Sequence, residues 1–275
     1  MRLSEESIKY VLDLQKRMLP LVYCCCSNER VNTLRKAIVN YNGKVKCRLD
    51  ENNEKDNQIC TLLISLDEVE IDNILDIEKK LISMNKKEVV LLEANGINSL
   101  IHKRNLALSL INRYKINVIE GSKEEINALI KLQCNEENNK DINFNYRYFA
   151  KKNDSVLIIK GDNYYITDGY SEFQIKNRNS DFLDKDYIEN LYTGMIASSI
   201  GICNNKSEIV QSILISTIAF YMAEKNTLKL IEDKSFYNNY RDSIESVNEC
   251  LLNSIYIIDV NNIKAYGDID YCFKR

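Results

Sequence analysis

Between about residues 20 and 130, short apolar runs alternate with segments whose apolar residues recur every three or four positions, and few architectures can absorb that pattern. The runs are LVYCC at 21–25, KVKCR at 44–48, ICTLLISL at 59–66, VVLLE at 89–93 and INVIE at 116–120. ICTLLISL carries no charge, as a strand covered on both faces requires. Helical spacing fills the intervals. A helix from Ser4 to Leu19 puts Ile8, Val11, Leu12 and Met18 on one face, with Ser4 as N-cap, Glu5 and Glu6 in its first turn and Pro20 as its stop. Another spans 31–39. A third starts at Asp67, with Glu70 completing a capping-box-like pair, and continues through Ile71, Ile74, Leu75 and Leu81. Others run through Leu106, Leu110 and Ile111 and onward from Ser122. Strand and helix in regular succession imply βαβ units, and hence an α/β fold with a mostly parallel central sheet and helices on both faces.

The style changes after the polar stretch CNEENNKDINFN at 134–145. SVLIIK at 155–160, YYITDG at 164–169 and SEFQIKN at 171–177 are short strands joined by Gly-Asp-Asn and Asp-Gly-Tyr turns, which predicts a hairpin at the edge of the sheet. From Tyr192 onward helix dominates, over 193–203, 206–225 and 235–255. No internal repeat and no Pro-, Gly- or Ser-rich linker breaks the 275 residues, so a single domain over 1–275 is expected.

Charge narrows the choice of partner. With 37 basic and 40 acidic side chains the formal net charge is −3, which supplies no basic footprint for nucleic acid or anionic lipid. The apolar stretch 213–223 is too short to span a bilayer, and the N-terminus has two glutamates where a secretory leader would be basic. A cytoplasmic protein with neither membrane nor nucleic-acid partner is expected. Nine cysteines, three of them adjacent at 24–26, read as reduced thiols packed in a strand rather than as a disulfide framework or zinc site. One histidine, His102, rules out a multi-histidine metal site within the chain. Only 8 residues are glycine, so their positions carry information.

Taken together, the strand ends resemble a known family. LPLVYCCCS at 19–27, VLLEANG at 90–96, VIEGSKEEI at 118–126, KGDNYYITDG at 160–169 and LYTGM at 191–195 fall in the order and spacing of hydroxyethylthiazole kinases, over about residues 4–225. Gly96, Gly121, Gly161, Gly169 and Gly194 lie on the family's motif glycines. The resemblance implies a three-layer ribokinase-like fold and a homotrimer with active sites between subunits. It implies ATP- and magnesium-dependent phosphorylation of 4-methyl-5-(2-hydroxyethyl)thiazole, or a related small alcohol, in thiamine salvage. It also assigns roles: Thr193 and Gly194 as anion hole, with Met195 in the catalytic-base position; Glu120, Ser122, Lys160 and Gly161 toward nucleotide; Glu93 and Glu125 toward magnesium; Cys47, Tyr192 and Gly194 toward the alcohol.

The chain departs from the family pattern at several of these positions. Met195 stands where the family has cysteine and has no proton to exchange. Tyr192 replaces the first glycine of the Gly-Thr-Gly-Cys turn, which predicts a ring where backbone must approach a phosphate. Glu120 replaces a phosphate-binding arginine; a two-unit change of charge at about 6 Å and an effective dielectric near 20 is on the order of 5 kcal/mol against phosphate. Lys160 is the candidate to restore the lost positive charge. Ser122 with Glu125 also fits a plain capping box, and Glu93 also fits a solvated residue at the sheet's rim. Two expectations follow: a thiazole kinase, or a catalytically silent relative that binds a small ligand or a partner protein.

Overall fold

A strand buried on both faces needs apolar side chains in both directions, and the central segments of this chain supply them. The computed structural model describes residues 3–47, 60–66, 71–85, 87–98, 100–133, 142–176, 184–232 and 244–265. Its strands are Leu21–Cys25 (β1), Lys44–Cys47 (β2), Thr61–Ser65 (β3), Val89–Glu93 (β4), Val118–Ser122 (β5), Val156–Lys160 (β6), Asn163–Thr167 (β7) and Glu172–Lys176 (β8). They form one sheet in the order β2-β1-β3-β4-β5-β6-β7-β8. Every pairing from β2 to β6 is parallel, and β7 and β8 add an antiparallel hairpin at one edge.

Helices cover both faces. They are Glu5–Met18 (α1), Asn28–Asn40 (α2), Ile71–Ser83 (α3), Ile101–Arg113 (α4), Lys123–Gln133 (α5), Ile142–Lys152 (α6), Lys185–Ile200 (α7), Lys206–Glu232 (α8), Ile244–Tyr256 (α9) and Val260–Lys264 (α10). Val22, Cys24, Leu63, Leu91 and Val118 point into a core shared with α1, α2, α7 and α8. Their neighbours Tyr23, Leu62, Ile64, Leu92 and Ile119 point into a second core with α3 to α6. The period of two along each strand thus divides one sheet between two hydrophobic layers.

The expected parallel sheet, its helices on both faces and the edge hairpin are all present. Ser4 caps α1 by accepting from the Ser7 amide, and Leu19 leaves the helix in the left-handed region at φ 45° before Pro20. The Asp67 and Glu70 start of α3, and 235–243 of the last expected long helix, lie outside the described residues. Two boundaries differ from the sequence reading. α6 was not expected: INFNYRYFAKK is poor in strong helix formers, and the helix buries Tyr146, Phe149 and Ala150 against the second core. α7 begins at Lys185, seven residues before Tyr192, because Asp184 caps it by accepting from the Tyr187 amide.

Candidate active site

Open parallel sheets hold ligands beyond the carboxyl ends of their strands. Here that rim is charged. Glu93 ends β4, Glu120 sits beside it on β5, Lys160 ends β6, Arg30 lies in the first turn of α2, and Glu189 and Thr193 come from α7. The Arg30 guanidinium grips both Glu93 oxygens and donates to Ser65 Oγ at 2.5 Å. Nζ of Lys160 lies 3.4 Å from Glu93 Oε1, 3.2 Å from Glu120 Oε1 and 3.3 Å from Glu189 Oε2. Thr193 donates its hydroxyl to Glu120 Oε1 at 2.7 Å, and Asn95 donates to Glu93 at 2.8 Å. Glu93, Glu120 and Thr193 are fully buried.

Burial alone would raise the Glu93 carboxyl, but Lys160 and Arg30 outweigh it and hold it below the ordinary carboxylate range. Glu120 comes out the other way. Burial, reinforced by the Glu93 charge, raises its carboxyl against the pull of Lys160 and Thr193. Its Oε2 has no hydrogen-bond partner among the described residues. Burial works to lower the Lys160 ammonium, yet Glu120, Glu93 and Glu189 together raise it. The cluster is therefore an ionic network with two cations, Glu93 firmly ionised and Glu120 the carboxyl most ready to take a proton.

Beside the network a cleft of about 340 Å³ opens between the N-termini of α2 and α7. Glu29, Asp184, Asp186 and Glu189 line it, and the one cation on its wall among the described residues, Arg30, is already committed to Glu93.

The residues singled out from the sequence do not all meet here. Glu93, Glu120, Lys160 and Thr193 do, but as partners of one another. Thr193, Gly194 and Met195 are interior positions of α7, where each amide donates to the carbonyl four residues earlier. An anion hole formed by those amides is not the arrangement in this structure: the helix's early start consumes them. Gly194 instead lets two helices touch, since a Cβ there would stand 3.0 Å from Ala37 Cβ and 3.1 Å from the Leu34 carbonyl oxygen on α2. The Tyr192 ring does not reach the rim. It stacks on Tyr164 with centroids 4.4 Å apart, meets Phe220 edge-on and hydrogen-bonds Thr217 at 2.9 Å, all within the core. Met195 and Cys47 are buried in that core as well, Cys47 opposite Cys24. Glu125 accepts from the amides of Gly96 at 2.7 Å and Ser122 at 2.8 Å, and Ser122 Oγ accepts from the Glu125 amide, so the capping box is real and both Glu125 oxygens are used. Gly161 lies in the exposed turn between β6 and β7.

Two members of the network escaped the sequence reading. Arg30 carried a usable signal, because a cation in the first turn of a helix opposes the macrodipole and asks for an acidic partner. Glu189 carried none.

A model of the hydroxyethylthiazole kinase family matches residues 61–249. The chain belongs to the hydroxyethylthiazole kinase family. A hydroxyethylthiazole kinase structure from Pyrococcus horikoshii superposes with a TM-score of 0.74 at 16% identity, over 96% of this chain and 98% of that one. A ribokinase-like superfamily protein from Enterococcus faecalis gives 0.60 at 12% identity, over 92% and 94%. An ADP/ATP-dependent NAD(P)H-hydrate dehydratase from Bacillus subtilis, co-crystallised with ATP and Mg²⁺, gives 0.52 at 12% identity, over 91% and 96%. No curated protein matched. These likenesses establish a ribokinase-like fold for this family member.

The family name implies ATP and magnesium, and the residues present fit neither. A phosphate chain needs open amides and uncommitted cations, whereas here the amides are inside α7 and both cations are paired. Among the described residues no group of three or more His, Cys, Asp or Glu is arranged to hold a metal ion.

Proposed function

We propose that this member of the hydroxyethylthiazole kinase family does not transfer phosphoryl groups, and that it acts as a binding protein for a small ligand in the cleft beside Arg30. One observation carries the reading: the rim is filled by the chain's own Arg30, Glu93, Lys160 and Glu120. Phosphoryl transfer depends on positioning and charge neutralisation, and a rim saturated with internal ion pairs offers little of either. The acidic cleft wall and the absence of a proton on Met195 point the same way. As in the family it resembles, the protein is taken to be a cytoplasmic, single-domain homotrimer.

A second reading keeps the family activity, phosphorylation of 4-methyl-5-(2-hydroxyethyl)thiazole by MgATP in thiamine salvage. Family membership supports it. It requires Lys160 to leave Glu189 and the first two turns of α7 to open. One experiment separates the two: purified protein is incubated with MgATP and the thiazole alcohol while MgATP binding is followed by titration calorimetry. The expected result is no phosphorylated product above background and no MgATP heat. Product formation at enzymatic rates would establish the kinase instead.

A further inference from the structure

Three carboxylates from three separate elements converge on one nitrogen. The oxygens of Glu93, Glu120 and Glu189 stand 3.4, 3.2 and 3.3 Å from Lys160 Nζ, so one ammonium charge is shared by three carboxylates. Glu93 and Glu120 are partners in register on adjacent parallel strands, so two like charges share one buried site and require a cation between them. We propose that Lys160 is a built-in cation: its ammonium occupies the position a divalent metal ion would take between Glu93 at the end of β4 and Glu120 within β5, and makes the site independent of metal. This rests on the reading of the rim as an altered kinase site and names what now holds its carboxylates together.

The donor set supports the assignment. Carboxylate oxygens with a hydroxyl nearby, here Thr193 Oγ1 at 2.7 Å from Glu120, are what hard divalent cations select. The same oxygens stand roughly 1 Å further from the nitrogen than they would from Mg²⁺, Mn²⁺ or Ca²⁺, a spacing set by an ammonium rather than by a metal. Arg30 holds Glu93 in place independently, so removal of the lysine would leave Glu120 and Glu189 facing a vacated cation position with their framework intact.

The test is Mn²⁺ titration of the full-length protein, followed by electron paramagnetic resonance, for wild type and Lys160→Ala. Wild type is expected to hold no Mn²⁺ at this position up to about 1 mM, while Lys160→Ala gains one ion at or below that concentration. The gain should vanish in Lys160→Ala combined with Glu120→Gln. A folded Lys160→Ala protein that gains no ion overturns the proposal, and so does Mn²⁺ binding by wild type that Glu93→Gln abolishes. Should Lys160→Ala fail to fold without metal, thermal unfolding with and without Mn²⁺, Mg²⁺ and Ca²⁺ decides: rescue supports the proposal, and no rescue by any of the three overturns it. These readouts stand apart from turnover. Product from wild type would refute the non-kinase reading, whereas Mn²⁺ at Glu93 in wild type would refute only the built-in cation.

Discussion

Glu224 lies fully inside the protein on α8, and neither of its carboxylate oxygens has a hydrogen-bond partner among the described residues. Burial pushes its carboxyl from the ordinary 4.5 up to about 8. The consequence has a definite sign. Below the ordinary value both folded and unfolded chains hold the proton; between it and about 8 only the folded chain does, so stability falls as pH rises. Above about 8 the loss is complete and amounts to at most about 5 kcal/mol. Glu224→Leu is therefore expected to raise the urea midpoint far more at pH 8.5 than at pH 4.5, and equal shifts at the two would show that the carboxyl is not buried as described. Glu93 behaves oppositely: its depressed carboxyl contributes stability above the ordinary carboxylate range and loses it as acid protonates the folded state. At the same scale, Tyr192→Ala removes a ring stacked on Tyr164 and is expected to cost about 3–5 kcal/mol in denaturant unfolding. No kinase activity should appear in exchange, because the vacated space lies in the core. Met195→Cys, assayed for product with MgATP and the thiazole alcohol, is likewise expected to stay inactive; a cysteine inside α7 faces no open amides.

At the scale of elements, the decisive feature is where α7 begins. Asp184 starts the helix early, so the Thr193 and Gly194 segment falls in its third turn rather than at its mouth. Its packing against α2 then depends on the missing side chain of Gly194. Gly194→Leu would drive a branched chain into Ala37 and the Leu34 carbonyl and is expected to destabilise by about 1–3 kcal/mol, read as a lower melting temperature. If that variant melts with wild type, the helices are not in contact at this point. The loop after β4 and the end of β5 are tied together by Glu125, which accepts from an amide of each. The residue that the resemblance offered as a metal ligand and the spacing as a cap is a cap that also spans to the neighbouring loop.

At the scale of the whole molecule, an assembled trimer is expected to sediment at three times 32.0 kDa, and a monomer in analytical ultracentrifugation would remove that expectation. No helix among the described residues is long and apolar enough to cross a membrane. The architecture itself was legible without coordinates. Apolar runs such as TLLIS and VVLL, separated by helical periods, leave a parallel sheet between helical layers as the way to bury both faces, and the strand-end glycines pointed to the family. The site was legible only as a set of candidates. Sequence named Glu93, Glu120, Lys160 and Thr193, but not that Lys160 would neutralise Glu120, that Arg30 from another element would seize Glu93, or that Tyr192 would turn into the core. Those outcomes depend on distances between segments far apart in the chain. Local periodicity determines which face of an element is apolar, whereas the pairing of buried charges is settled only when the strands and helices carrying them are brought within a few ångströms, where an unpartnered charge costs too much to remain.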